Sequence, residues 1–279
     1  MNKIIVEAID YIMKNLTEEL TVEEIANHCH YSKYYFNRMF KDSVGESVYS
    51  FIKRQRVQSS AFKIANNKEM SITNISCDYG YSSSNYSSLF KSHYGISPVE
   101  FKKYRNESSI YTNGKEYYAD LSTETCERIE KKMRIVTIED LQVYFKRYIG
   151  NYHNLYDYWT NFINENTELF SGDYSQIELS YDDPVIADSE RCIIDLCILT
   201  DKISITNCNR MTLDGGKYAV YDFEGHSREI FKVFQSLMCI WMPKTSMKVD
   251  FEKRKMFSKY LKIDCENNIF AIEIYIPIL

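Results

Sequence analysis

The stretch TVEEIANHCHYSKYYFNRMFKDSVGESVYSFIK, residues 21–53, returns fifty residues later as SITNISCDYGYSSSNYSSLFKSHYGISPVEFKK, residues 71–103. The two align without a gap. Identities fall at Ile25/Ile75, Tyr31/Tyr81, Ser32/Ser82, Phe40/Phe90, Lys41/Lys91, Gly45/Gly95, Ser47/Ser97, Phe51/Phe101 and Lys53/Lys103, and conservative pairs add Val22/Ile72, Phe36/Tyr86 and Met39/Leu89. Most shared positions are apolar, as a common core requires, so the segment reads as an internal duplication. In each copy Thr21 or Ser71 precedes apolar residues at helical spacing and can cap a first helix. The Ser of YSK or YSS can cap a second, whose apolar residues recur at 36, 39 and 40 and at 86, 89 and 90, and Gly45 or Gly95 ends it. The pattern predicts two helix-turn-helix units, joined by a helix over FIKRQRVQSSAFKIANN, residues 51–67.

A second helix held to the first by its apolar side must show its polar side to solvent. In the first copy that side presents Lys33, Tyr34, Asn37, Arg38 and Lys41. Arg can donate twice to guanine and Asn can pair with adenine, while Tyr and Lys suit apolar or phosphate contacts. The second copy offers Ser83, Ser84, Asn85, Ser87, Ser88 and Lys91, smaller and less discriminating groups. The first helix is therefore expected to read bases and the second mainly to hold the backbone of double-stranded DNA.

Charge follows the same division. The chain carries a formal net charge of -5, which by itself disfavours a polyanionic partner. Residues 1–106, however, hold 14 Lys/Arg against 11 Asp/Glu, leaving 20 against 28 for residues 107–279. A mildly basic N-terminal part is thus masked by an acidic remainder.

With 279 residues the chain is long enough for two domains. Its opening, MNKIIVEAIDYIMKNL, reads as an amphipathic helix rather than a secretory signal because Lys3, Glu7 and Asp10 interrupt its apolar residues. No apolar run approaches the ~20 residues of a membrane span, and a cytoplasmic location with no membrane partner is expected. The eight cysteines form no C-x-x-C pair, and neighbours such as His28, Cys29 and His30 point in different directions on a helix. No metal and no cofactor is predicted.

Residues 107–125 lose helical periodicity and read as a linker. From residue 126 to 279, strand-like segments (MRIVTIEDLQVYFKRYIGNY, QIELSYDDP, RCIIDLCILT, MTLDGGKYAVYDFEGH and the closing SKYLKIDCENNIFAIEIYIPI) are interleaved with helix-like NLYDYWTNFINENTELF and SREIFKVFQSLMCIWM. The order strand, Gly, helix, two strands occurs twice. Setting Gly150 on Gly225 places Leu155 on Ile230 and Phe162 on Leu237, a fainter duplication at an offset of 75.

The first 106 residues resemble the DNA-binding domain of the AraC family of bacterial regulators, most specifically through YGYSSSNYSSLFKSHYGISPVEFKKYR at 79–105 and YSKYYFNRMFKDSVGESVYSFIKRQRV at 31–57. Ser88 stands where family members often have Arg. The resemblance implies two units entering successive major-groove segments on one face of DNA, roughly 34 Å apart, with RNA polymerase as protein partner and a homodimer as an available assembly. Residues 126–279 resemble the GyrI-like effector-binding domain of multidrug-responsive regulators, through GGKYAVYDFEGH (215–226), Trp241-Met242-Pro243 and AIEIYIPI (271–278). In that family two similar α+β halves form a pseudo-symmetric sheet with a ligand crevice between them. The fold class expected is therefore multidomain: an all-α N-terminal domain of two helix-turn-helix units with a linker helix, and an α+β C-terminal domain with a duplicated antiparallel sheet.

Glu273 interrupts the apolar strand FAIEIYIPI, and a carboxylate buried without a partner costs several kcal/mol. A small cationic or aromatic effector, held against Glu273 and the faces of Tyr144, Tyr148, Trp159, Tyr221, Trp241 and Tyr275, would offset that cost by charge pairing and cation–π contact. Pairing of Glu273 with a Lys or Arg of the chain, or exposure on an outer face, are the alternatives. The function expected is an effector-controlled transcription regulator and not an enzyme. Two competing readings are a hydrolase using a pocket Glu to activate water and a sequestering or partner-binding module.

Overall fold

The computed structural model describes the chain apart from residues 68, 107–109, 113–114, 118–125, 183–188, 202–207, 252 and 265–266, and for residues 104–106, 110–112, 115–117, 189, 227–228 and 239 it describes the backbone alone. It divides into two compact units, Met1–Tyr117 and Tyr118–Leu279.

In the first unit, α1 (Lys3–Lys14) precedes the pair α2 (Val22–His28) and α3 (Lys33–Val44), then α4 (Val48–Asn66), the pair α5 (Ile72–Asp78) and α6 (Ser83–Tyr94), and α7 (Pro98–Asn106). The bounds of α2 and α3 and the start of α4 recur fifty residues later in α5, α6 and α7. Side chains cap these helices as the sequence requires: Thr21 Oγ1 accepts from Glu24 N at 3.1 Å and Ser71 Oγ from Asn74 N at 3.1 Å. Both second helices end on a left-handed glycine, Gly45 at φ 83° and Gly95 at φ 79°. The core repeats as well. Phe40 meets Phe51 edge-on at 5.4 Å, and their equivalents Phe90 and Phe101 do so at 5.3 Å. Helix α4 is buried around its circumference because it packs against α3, α5, α6 and α7, and Tyr86 Oη donates to Ser60 Oγ at 2.8 Å to pin α6 upon it. Its Arg54 is paired with Glu46 at 2.7 Å in the interior.

The segment read as irregular from residue 107 contains a short antiparallel hairpin, β1 (Ile110–Thr112) with β2 (Lys115–Tyr117), inside the first unit. The remainder of that segment lies outside the described residues.

The second unit runs α8 (Cys126–Glu130), β3 (Met133–Ile138), β4 (Leu141–Gly150), α9 (Leu155–Glu165), β5 (Tyr174–Ser180), β6 (Cys192–Thr200), β7 (Asn209–Leu213), β8 (Gly216–His226), α10 (Ser227–Ser236), β9 (Phe257–Asp264) and β10 (Ile269–Pro277). The predicted second helix of this half is α-helical only to Ser236 and then widens into a π-type turn, Leu237–Trp241, in which Met242 N bonds Leu237 O at 2.9 Å. Eight strands form one antiparallel sheet in the order β3-β8-β10-β9-β5-β6-β4-β7. Exchanging β3 with β7, β4 with β8, β5 with β9 and β6 with β10 leaves this order unchanged when read backwards. The faint duplication at offset 75 is thus a pseudo-two-fold axis between β5 and β9. Each half also lends its first strand to the other: β3 pairs with β8 and β7 with β4.

Short connections bend this sheet. Two residues, Glu139 and Asp140, join β3 at one edge to β4 near the other, so the edges must approach within about 10 Å there. The turns do meet, with Gly215 N donating to Asp140 Oδ1 at 2.7 Å. A Cβ at Gly215 would sit 2.6 Å from the Ile138 carbonyl oxygen, so only glycine fits that approach. Register assigns the faces. Tyr144, Tyr148, Ile194, Leu196 and Ile198 share the face on which Trp159 and Phe162 of α9 pack. Phe145, Arg147, Asp195, Cys197, Leu179, Phe257 and Tyr275 point to the other, equally buried face.

Candidate functional site

The polar surfaces of the two second helices face solvent. Burial of Phe36 and Phe40 in α3, and of Tyr86, Phe90 and Tyr94 in α6, fixes the rotation of each helix about its axis. In α3 this leaves Lys33, Tyr34, Arg38 and Lys41 exposed and Asn37 half-buried; Tyr34, at 88% exposure, projects furthest among the large apolar side chains described. Lys33 Nζ lies 3.7 Å from Glu23 of α2 with both side chains largely solvated, a pair weak enough to be exchanged for a phosphate. In α6 Ser83, Ser84, Asn85, Ser87, Ser88 and Lys91 are all exposed. Lys91 is the one Lys or Arg in α6, whereas α3 carries Lys33, Arg38 and Lys41.

In the second unit Glu178 of β5 stands at the middle of the pairing across the pseudo-two-fold axis, directly opposite Ser258 of β9. Only Ile177–Leu179 and Phe257–Lys259 pair between these central strands; beyond them the ladder ends. Alternation puts Glu178 on the helix-covered face with Leu196, and it is 7% exposed. Its partners are hydroxyls: Tyr260 Oη donates to Oε2 at 2.6 Å and Ser180 Oγ to Oε1 at 3.3 Å. Among the described residues no Lys or Arg pairs with it. Burial raises its pKa above the ordinary carboxylate value, against the opposing pull of the two hydroxyl donors. Aromatic rings surround it. Trp159 meets Tyr260 edge-on at 5.9 Å, and Tyr152 lies close enough that the Glu178 charge, after burial, raises the pKa of its phenol.

The residues expected to line a ligand site are distributed over both faces. Tyr148 and Trp159 belong to the cluster beside Glu178, Tyr148 stacked on Tyr158 at 4.6 Å. Tyr144 joins that cluster, but its hydroxyl accepts from Arg210 at 2.8 Å. Tyr221 is on β8, where Lys132 approaches its hydroxyl at 3.4 Å. Trp241 is fully buried in the turn after α10. Glu273 and Tyr275 lie on the opposite face, where Glu273 pairs with Arg134 of β3 and accepts from Tyr275 Oη at 2.8 Å. The partner that a mostly buried Glu273 demands is therefore Arg134, one of the alternatives the sequence leaves open. Sequence reasoning missed Glu178, Ser180, Tyr260 and Tyr152. The signal available was the one used for Glu273: in QIELSYDDP a carboxylate interrupts an apolar strand. Among the described residues, no group of three or more His, Cys, Asp or Glu could hold a metal ion, and no helix is long and apolar enough to cross a membrane.

Comparison with known proteins agrees with both halves. A family model described as a helix-turn-helix domain matches residues 25–104, and one described as a GyrI-like small molecule binding domain matches residues 131–279, just over half the chain. The regulatory protein PocR of Salmonella typhimurium is 31% identical over 104 residues, 37% of this chain but 34% of its own length, so the chain spans about a third of that relative. The probable transcription factor PqrA of Proteus vulgaris is 33% identical over 87 residues, 31% of this chain and 70% of its own. A crystal structure of the EcmrR C-terminal domain aligns with 53% of this chain and 96% of its own at a TM-score of 0.44 and 13% identity. The chain belongs to the AraC-type helix-turn-helix transcription regulators and carries a GyrI-like small-molecule-binding domain.

Proposed function

We propose that this regulator is controlled by a small aromatic organic cation held against Glu178, and that α3 reads the operator while α6 chiefly grips its backbone. The observation that carries the first part is a buried carboxylate whose described partners are hydroxyls and whose surroundings are aromatic. An ionised carboxylate in such a place is destabilised until a cation arrives. Trp159, Tyr152 and Tyr260 supply faces and edges on which a quaternary ammonium gains further attraction. The site is closed by its own side chains, so binding must move them, and that displacement supplies the differential interaction by which a ligand shifts one state against another. Coupling is reciprocal: the effector changes operator affinity by the factor by which the operator changes effector affinity.

The second part rests on the chemistry of the exposed helix faces. Arg38 and Asn37 have the donor patterns that distinguish guanine and adenine, whereas the serines of α6 hydrogen-bond to either base or to phosphate. A homodimer and contact with RNA polymerase complete the proposal as partners of a transcription regulator.

The deciding measurement is calorimetric titration with phenethyltrimethylammonium and with its uncharged tert-butyl isostere. The cation should bind wild type at least tenfold more tightly than the isostere, a difference of ~1.4 kcal/mol, and Glu178→Gln should abolish the preference. Equal affinity of the two compounds for wild type would refute a cation site.

A further inference from the structure

Beside Glu178 lie two buried hydrogen-bond donors that complete no hydrogen bond. Trp159 is 93% buried by the complement of its 7% exposure, and its indole Nε1 has no hydrogen-bond partner. It is turned towards the Tyr260 oxygen without completing a bond to it. The Tyr152 hydroxyl is equally inaccessible and is turned towards Ser180 Oγ, beside Glu178, likewise without completing a bond. The hydroxyls of Tyr260 and Ser180 spend their hydrogens on Glu178, and their lone pairs are the nearest acceptors for Trp159 Nε1 and Tyr152 Oη, yet neither donor completes a bond to them. A buried donor left unmade costs free energy that a suitably placed acceptor recovers, and native interiors rarely leave two such groups side by side.

We infer that the effector carries, besides its positive charge, a hydrogen-bond acceptor such as a carbonyl, ether or ring nitrogen, and that Trp159 Nε1 and Tyr152 Oη are the groups that recognise it. This rests on the cation reading of Glu178 and narrows it to one chemical class. The carboxylate selects for charge, and the indole and phenol select among cations. Hydrocarbon cations of the same shape leave both donors unsatisfied and bind more weakly, because a site built to hydrogen-bond discriminates against analogues that cannot.

Two matched pairs test this on the full-length protein. Phenacyltrimethylammonium and phenethyltrimethylammonium differ by a carbonyl in place of a methylene, and acetophenone and ethylbenzene are the corresponding neutral pair. Wild type should favour the ketone cation about tenfold, the factor expected of one good hydrogen bond. Trp159→Phe and Tyr152→Phe should each lower the ratio of the two affinities, and the double variant should bring it to about one, whatever either change does to overall affinity. Equal binding of the two cations by wild type, or a ratio that survives in the double variant, overturns the inference while leaving the cation site intact. If neither cation binds but acetophenone is favoured over ethylbenzene and loses that advantage in the double variant, the donors keep their role and the cation reading fails instead. If all four compounds fail to bind, both fall.

Discussion

The hydroxyl of Tyr260 on β9 donates to Oε2 of Glu178 on β5 at 2.6 Å, across the axis that relates the two halves of the sheet. A neutral donor steadies the carboxylate without cancelling its charge, and burial still raises its pKa. At pH below that raised pKa, cation binding must therefore draw the proton off Glu178. The logarithm of the affinity for a permanently charged quaternary ammonium should rise with pH by up to one unit per pH unit below the raised pKa of the free protein, then level off above it. Tyr260→Phe removes a stabilising donor, so its profile should be displaced to higher pH. A flat profile in wild type would show that the carboxylate is not the charge partner.

Stability carries the opposite signature. A carboxyl whose folded pKa lies above its unfolded value of about 4.3 favours the fold fully at lower pH, and that contribution is lost as pH rises through the folded pKa. Glu178→Gln keeps an oxygen for the Tyr260 hydroxyl and has no such loss. Relative to wild type the variant should gain thermal stability as pH rises above about 4.3, with the gain levelling off above the folded pKa, and show none below it. Thermal melts over that range, without ligand, decide it.

The sequence revealed some levels of this structure and concealed others, for physical reasons. The fifty-residue repeat was legible because its apolar identities, Phe40/Phe90 and Phe51/Phe101 among them, are the groups that pack edge-on in both copies. The faces of the C-terminal sheet were not. Alternation distinguishes a buried face only when the other is wet, and here Cys192 through Ile198 are buried without interruption. Glu178 and Glu273 thus looked alike as carboxylates in apolar strands. What separates them is Arg134, which is 139 residues from Glu273 in the chain and reaches it because β3 crosses to pair with the other half.

On DNA, the two second helices should respond differently to mutation. Arg38→Ala should cost ~1–3 kcal/mol on specific sites and relax preference at one base position. Lys41→Ala or Lys91→Ala should weaken all sequences alike and reduce the salt slope by about one. Binding-site selection and salt titrations measure both. Unchanged base preference in the Arg38 variant would remove α3 from its assigned role.

The turn between α2 and α3 holds His30 at φ 61°, a conformation that Gly80 takes at φ 76° in the second copy. A Cβ at that angle is strained by about 1 kcal/mol, partly returned because glycine is freer in the unfolded chain. His30→Gly should therefore stabilise the protein slightly, by up to about 0.5 kcal/mol. No heavy atom would crowd a Cβ at Gly80, so Gly80→Ala should cost about 1 kcal/mol from backbone strain alone. Denaturant midpoints of opposite sign in the two variants are the expected result.

Arg134 offers the sharpest contrast between structure and binding. Its guanidinium contacts Glu273, which is mostly buried, and Asp222 at 3.3 Å, which is exposed. Removing Arg134, itself exposed, leaves the mostly buried Glu273 carboxylate uncompensated, whereas replacing that carboxylate by an amide does not. Arg134→Ala should therefore destabilise the protein by roughly 1–3 kcal/mol, and Glu273→Gln in the same background should restore part of the loss. Neither change should alter the preference for a cation over its neutral isostere, because Glu273 lies on the opposite face of the sheet from Trp159 and Glu178. A Glu273→Gln variant that folds normally yet loses that preference would move the effector to the other face and leave Glu178 as a purely structural acid.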